Sequence, residues 1–85
     1  MASVRKLKKE INNMVFDVVE ECYSIQLFDS SKKETTDKFI DEAVDFMNDT
    51  MTKINAAKSK KEYREIVSKV EETADKWIEK LNKIQ

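Results

Sequence analysis

Four aspartates, Asp37, Asp41, Asp45 and Asp49, recur at four-residue spacing, which stacks their carboxylates along one flank of a helix. Such a row could attract a cation or a basic partner. A calcium loop is not indicated, because a helix denies four ligands a common focus and the chain has no glycine for the loop's turn. Like charges at this spacing cost about 0.2–0.5 kcal/mol each. The row therefore reads as a solvated surface or as a candidate acidic face for a basic partner.

Acid–base chemistry finds less support. Glu20 and Glu21, like Glu71 and Glu72, are adjacent in sequence and would point roughly 100° apart on a helix. General acid–base work needs a pocket that perturbs one of the two carboxyls. The chain has no histidine, so no conventional triad, no imidazole-bound metal and no Glu-x-x-His di-iron motif can be built. Without glycine there is no phosphate-cradling loop. The single cysteine, Cys22, stands between Val18 and Ile25 on an apolar stripe and reads as an inert core residue rather than a nucleophile. No enzyme, cofactor or metal is expected.

A basic cluster, Arg5, Lys6, Lys8 and Lys9, sits at the amino end. Positive charge at a helix amino terminus opposes the macrodipole by roughly 0.3–1 kcal/mol per site, and a broken local rule can mark function. No aromatic residue is interleaved with these bases, as single-strand binding surfaces require. The cluster reads as a solubilising end, with nucleic-acid binding as the second possibility.

Three elements must position these groups. Val4, Leu7, Ile11, Met14, Val18, Cys22 and Ile25 recur at three- and four-residue steps, the period of an amphipathic helix. Ser3 is the expected N-cap. A second stripe runs Ile40, Val44, Met47, Met51 and Ile54, with Phe39, Ala43 and Phe46 beside it; a third runs Tyr63, Val67, Val70, Ala74, Trp77, Leu81 and Ile84. The third is centred about 130° from the second, so the chain must turn between them near Asn55–Lys58. Asn55 is expected to supply a left-handed cap, and Ser59-x-x-Glu62 the capping box of the next helix. Ser31-x-x-Glu34 repeats that signature at the first reversal, where Asp29 can take the cap or turn. These features predict one all-α domain over 1–85, a three-helix up-down-up bundle with helices at about 4–28, 34–55 and 60–84.

The first helix is the widest in apolar content. Phe16, Val19, Tyr23 and Leu27 form a second row beside its main stripe. Either they complete the core between two neighbours, or they form an uncovered association surface. Trp77, Tyr63, Phe39 and Phe46 already bring much of the volume such a core can hold, which favours association. On the third helix the pairs Glu65–Lys69, Glu72–Lys76 and Glu79–Lys83 have the favourable orientation.

Eighty-five residues with 16 basic and 17 acidic side chains give a net charge of −1, so no global field favours nucleic acid. No run of about 18 apolar residues is present to span a membrane. The amino end has no apolar stretch behind its bases, so a secretory leader is not expected, and a lone cysteine suits a reducing compartment. A cytoplasmic setting follows.

The opening Ala2-Ser3-Val4-Arg5-Lys6-Leu7-Lys8-Lys9-Glu10-Ile11-Asn12, the tetrad Ile40-Asp41-Glu42-Ala43, and Lys53-Ile54-Asn55 ahead of a charged final helix resemble a group of short bacterial all-helical proteins with no established function. The resemblance spans most of the chain. It implies a small helical bacterial protein and transfers no site residues. The expected function is a non-enzymatic protein–protein association module, a homodimer or an adaptor. The alternative is an accessory nucleic-acid-binding protein using the basic end.

Overall fold

The computed structural model describes residues 2–84. It is all-α, with α1 at Ala2–Phe28, α2 at Lys33–Ala56 and α3 at Lys60–Ile84. A 3-10 turn, Ser30–Lys32, joins the first two helices. Among the described residues no helix is long and apolar enough to cross a membrane. α1 begins at Ala2, so Ser3, the expected cap, falls inside its first turn. At 1.5 Å per residue α1 is about 40 Å long, which accounts for the bundle's extents of 45 × 18 × 17 Å.

Side-chain contacts at the two ends fix the direction of each helix. Lys8 Nζ donates to Asn55 Oδ1 at 2.8 Å, tying the start of α1 to the end of α2. Gln26 Nε2 donates to Thr36 Oγ1 at 2.7 Å, joining the end of α1 to the start of α2. Lys32 Nζ reaches the Ile84 carbonyl at 2.5 Å, so the start of α2 lies beside the end of α3. α2 is thus antiparallel to both neighbours, giving the up-down-up order.

The core draws one stripe from each helix. α1 contributes Leu7, Ile11, Val15, Val18, Cys22 and Ile25, all buried. On α2 the buried face is Thr36, Phe39, Ala43, Thr50 and Ile54, rotated by about 60° from the expected Ile40–Val44–Met47–Met51–Ile54 row, of which it keeps Ile54. Ile40, Met47 and Met51 flank the core instead, and Val44 is exposed. Two threonines account for the difference, since a stripe drawn through apolar residues alone passes them by. Thr36 is fully buried because its hydroxyl oxygen lies 2.9 Å from the Lys32 carbonyl, to which it donates, and accepts from Gln26. A hydroxyl so bonded costs little to bury. α3 buries Val70 and Trp77, with Tyr63, Ile66, Val67, Leu81 and Ile84 half-buried around them. The Trp77 ring meets Phe39 edge-on at 6.0 Å and Phe46 at 5.3 Å, the geometry that aromatic quadrupoles favour.

The reversals depart from expectation in detail. Ser31 does not cap α2. Its backbone N–H and hydroxyl both donate to Asp29 Oδ1, at 3.0 and 2.5 Å, so Asp29 caps the 3-10 turn and Lys32 opens α2 without a side-chain cap bond. Those two donors, hydroxyl first, hold the Asp29 carboxyl below its ordinary value. A depressed folded value means that the contribution to stability is present above the unfolded carboxylate range and fades as pH falls through the folded one. At the second reversal Asn55 does not turn left-handed, as no positive φ occurs among the described residues. Ala57 makes the turn instead with an extended backbone, φ −65° and ψ 129°. The Ser59–Glu62 box forms with an offset. The Glu62 N–H donates to Ser59 Oγ at 3.2 Å, while the Glu62 carboxylate accepts from the Lys58 N–H at 3.0 Å, one residue before the serine.

Candidate association surface

The second row of α1 lies outside the core. Phe16 is 60% exposed, Tyr23 54% and Leu27 88%. Opposite them on the same helix, Ile11 and Cys22 are sealed against α2 and α3. The reason lies in the bundle's geometry, in which two neighbours cover one broad arc of a helix and leave the remainder to solvent. Val19 sits at the edge of the covered arc and packs against the core, so it leaves the candidate surface. Phe28, 94% exposed at the end of α1, joins the apolar tip instead. It was missed because it falls off both stripes; an aromatic residue just before Asp29-Ser30-Ser31 was the available signal.

The acidic face is exposed along its length, at Asp37, Asp41, Asp45 and Asp49, but it is partly engaged. Asp49 pairs with Lys53 at 3.1 Å, and Asp37 Oδ1 accepts from Gln26 Nε2 at 2.7 Å. Asp41 and Asp45 form no ion pair among the described residues. At the basic end Arg5, Lys6 and Lys9 are exposed, whereas Lys8 is held by Asn55. Of the three expected pairs on α3, Glu72–Lys76 is closed at 3.2 Å. The lysine's hydrogen bond, ahead of its charge, lowers the Glu72 carboxyl from its ordinary value.

A groove of about 460 Å³ opens between the end of α2 and the start of α3. Phe46, Ala56, Ala57 and Ile66 supply apolar lining, and Asp49, Lys53, Glu62, Glu65 and Lys69 supply charge of both signs. No sequence stripe pointed to it, since it arises where the two helices meet below their turn. The buried Thr50 completes the lining. Among the described residues no group of three or more His, Cys, Asp or Glu side chains is placed to hold a metal ion.

Cys22 is fully buried, and burial pushes its thiol above the ordinary value against a smaller opposing pull from Lys80. Labelling by a thiol reagent under native conditions should run at least roughly a hundredfold slower than for a free thiol, because it must await unfolding. Rapid stoichiometric labelling of the folded chain would place Cys22 at the surface instead.

Among the described residues the outer row of α1 aligns three exposed large apolar side chains on one helix face, while Val44 on α2 and Ile78 on α3 are exposed singly. No family model, no curated protein and no solved structure matches the chain.

Proposed function

We propose that this chain is a non-enzymatic association module of the cytoplasm, which presents the outer face of α1 to a protein partner. The partner is either a second copy or another chain for which this one serves as an adaptor. One observation supports this most directly: Phe16, Tyr23 and Leu27 stand exposed in a row on a helix whose opposite face is fully packed. A row of large apolar side chains in water is a standing cost that association removes. The groove between α2 and α3, with an apolar floor and mixed charge at its rim, favours packing over proton transfer. A single cysteine can form no disulfide within the chain, which supports a reducing compartment.

The second reading, nucleic-acid binding, draws on the exposed Arg5, Lys6 and Lys9. It would show affinity falling steeply with salt as phosphate counterions are released.

A photo-reactive phenylalanine in place of Phe16, in protein at native expression, tests the two together. Irradiation should give a discrete protein adduct, while the same probe at Asp75 on the exposed flank of α3 should give none. An adduct removed by nuclease would transfer the assignment to the second reading. No adduct from either position would retire the association reading.

A further inference from the structure

α1 separates its charges along its length. Its four basic residues all fall at positions 5–9, and from Glu10 to Phe28 it has four carboxylates and no base. This order runs against the macrodipole, which favours acids at the start of a helix and bases at its end. α2 and α3 carry Glu34 and Glu62 in their first turns, beside Lys33 on α2 and Lys60 and Lys61 on α3, and end on Lys53 and Lys83, whereas α1 has neither an acid in its first turn nor a base in its last. Four pairs close on those helices, Glu34–Lys38, Asp49–Lys53, Glu72–Lys76 and the interhelical Glu42–Lys80, while Asp41 and Asp45 form no ion pair and Glu65–Lys69 and Glu79–Lys83 do not close among the described residues. On α1, Arg5, Lys6, Lys9 and Glu20 are exposed and form no ion pair among the described residues. Arg5, Lys9, Phe16, Glu20, Tyr23 and Leu27 share an arc of roughly 60° on the helix. That single face begins basic, becomes aromatic at Phe16, and continues acidic and apolar.

We propose that a second copy of this chain docks on this face with its α1 antiparallel to the first and the two-fold axis near Phe16, which rests on the association reading above and names its occupant. A two-fold axis makes every contact occur twice. With Phe16 against Phe16, Lys9 of each copy comes opposite the Glu20–Tyr23 turn of the other, and Arg5 comes opposite Leu27. The lysine then gains a carboxylate and an aromatic face, and the stems of Arg5 and Lys9 cover Tyr23 and Leu27. Parallel pairing would set bases against bases and carboxylates against carboxylates. Antiparallel pairing also aligns the two macrodipoles favourably and gives the reversed charge order of α1 a use. Phe16, Tyr23 and Leu27 expose on the order of 400 Å² per copy. Their charged neighbours along the helix bring the footprint towards the roughly 800 Å² per partner of a stable interface.

Charge exchange in the purified chain tests this directly. The wild-type protein should sediment as a dimer at high concentration. Lys9→Glu replaces two attractions by two repulsions and should weaken the dimer by roughly tenfold, with helix content unchanged because the residue is exposed. Lys9→Glu/Glu20→Lys in one chain restores both contacts and should return the dissociation constant to within a few-fold of wild type. A monomeric wild type, a Lys9→Glu variant that dimerises normally, or a double exchange that fails to rescue would each overturn the antiparallel pairing. A monomeric wild type that still gives the Phe16 adduct, at a mass other than twice the chain, overturns self-pairing while the association reading stands. Loss of that adduct removes both.

Discussion

Phe39→Ala should leave little of the bundle folded at 37 °C, whereas Phe28→Ala should be close to silent. Phe39 is 0% exposed and Phe28 94%, so the same truncation acts on opposite extremes of burial. Removing a buried phenylalanine ring costs about 3–5 kcal/mol through lost transfer energy and the cavity it leaves. Phe39 also gives Trp77 an edge-on partner, and the Lys80 ammonium lies 4.7 Å from its ring centroid. All three helices therefore lose something at once, α1 through the void and α3 through both Trp77 and Lys80. A single core of this size supplies only a few kcal/mol of net stability. For a domain under 100 residues each kcal/mol shifts the midpoint by about 4–8 °C, so a fall on the order of 15–30 °C is expected. Thermal unfolding followed by circular dichroism reads it. A Phe39→Ala midpoint within a few degrees of wild type would mean that Phe39 is not the centre of the core.

How legible each feature was depended on whether apolar residues alone carried it. The main stripe of α1 reads directly, because its residues are all apolar: Leu7, Ile11, Val18, Cys22 and Ile25 are buried, and Val4 and Met14 are half-buried against them. On α2 the same procedure selects the wrong centre. Thr36 and Thr50 are buried, and a threonine whose hydroxyl bonds a carbonyl one turn back is invisible to a hydrophobic pattern. Phe39 and Ala43, read as flanking residues, occupy the middle of the face instead. The turn between α2 and α3 was nonetheless correctly placed. Recentring α2 on Phe39 and Ala43 moves its face still farther from that of α3, which only strengthens the case for a break. Cap chemistry was less legible, because one serine can serve two partners. Ser31 sits three residues before a glutamate, yet Asp29, two residues away, takes both its donors.

The outer row of α1 was legible as a row but not in its edges. Phe16, Tyr23 and Leu27 fall opposite the main stripe, where no neighbour can reach. Val19, about 100° from the stripe's centre, lies at a boundary that only packing decides. Phe28 ends the helix, where the chain turns away towards α2 and nothing covers it. The charge order of α1 required a different comparison, that of one helix with its two neighbours. Four ion pairs close on α2 and α3, whereas Arg5, Lys9 and Glu20 close none among the described residues.

Ile25→Glu and Leu27→Glu should give opposite results from positions two residues apart. Two residues along a helix turn the side chain through about 200°, and Ile25 is 8% exposed where Leu27 is 88%. At Ile25 the new carboxylate must enter an apolar interior without a partner, at a cost of several kcal/mol. Helix content should collapse and the thiol of Cys22, one turn away, should label freely. At Leu27 the carboxylate stays in water and the isolated bundle should keep its helix content and its melting temperature at low concentration. Its effect should appear only on association. A dimer that binds the folded chain raises the wild-type midpoint with concentration by mass action, and Leu27→Glu should flatten that dependence while lowering the sedimenting mass. The new charge would lie opposite Arg5 of the second copy in the antiparallel register, so part of the loss should return as salt is lowered. A Leu27→Glu chain that unfolds like Ile25→Glu would make the outer row part of the core, and one that dimerises as wild type would move the interface elsewhere.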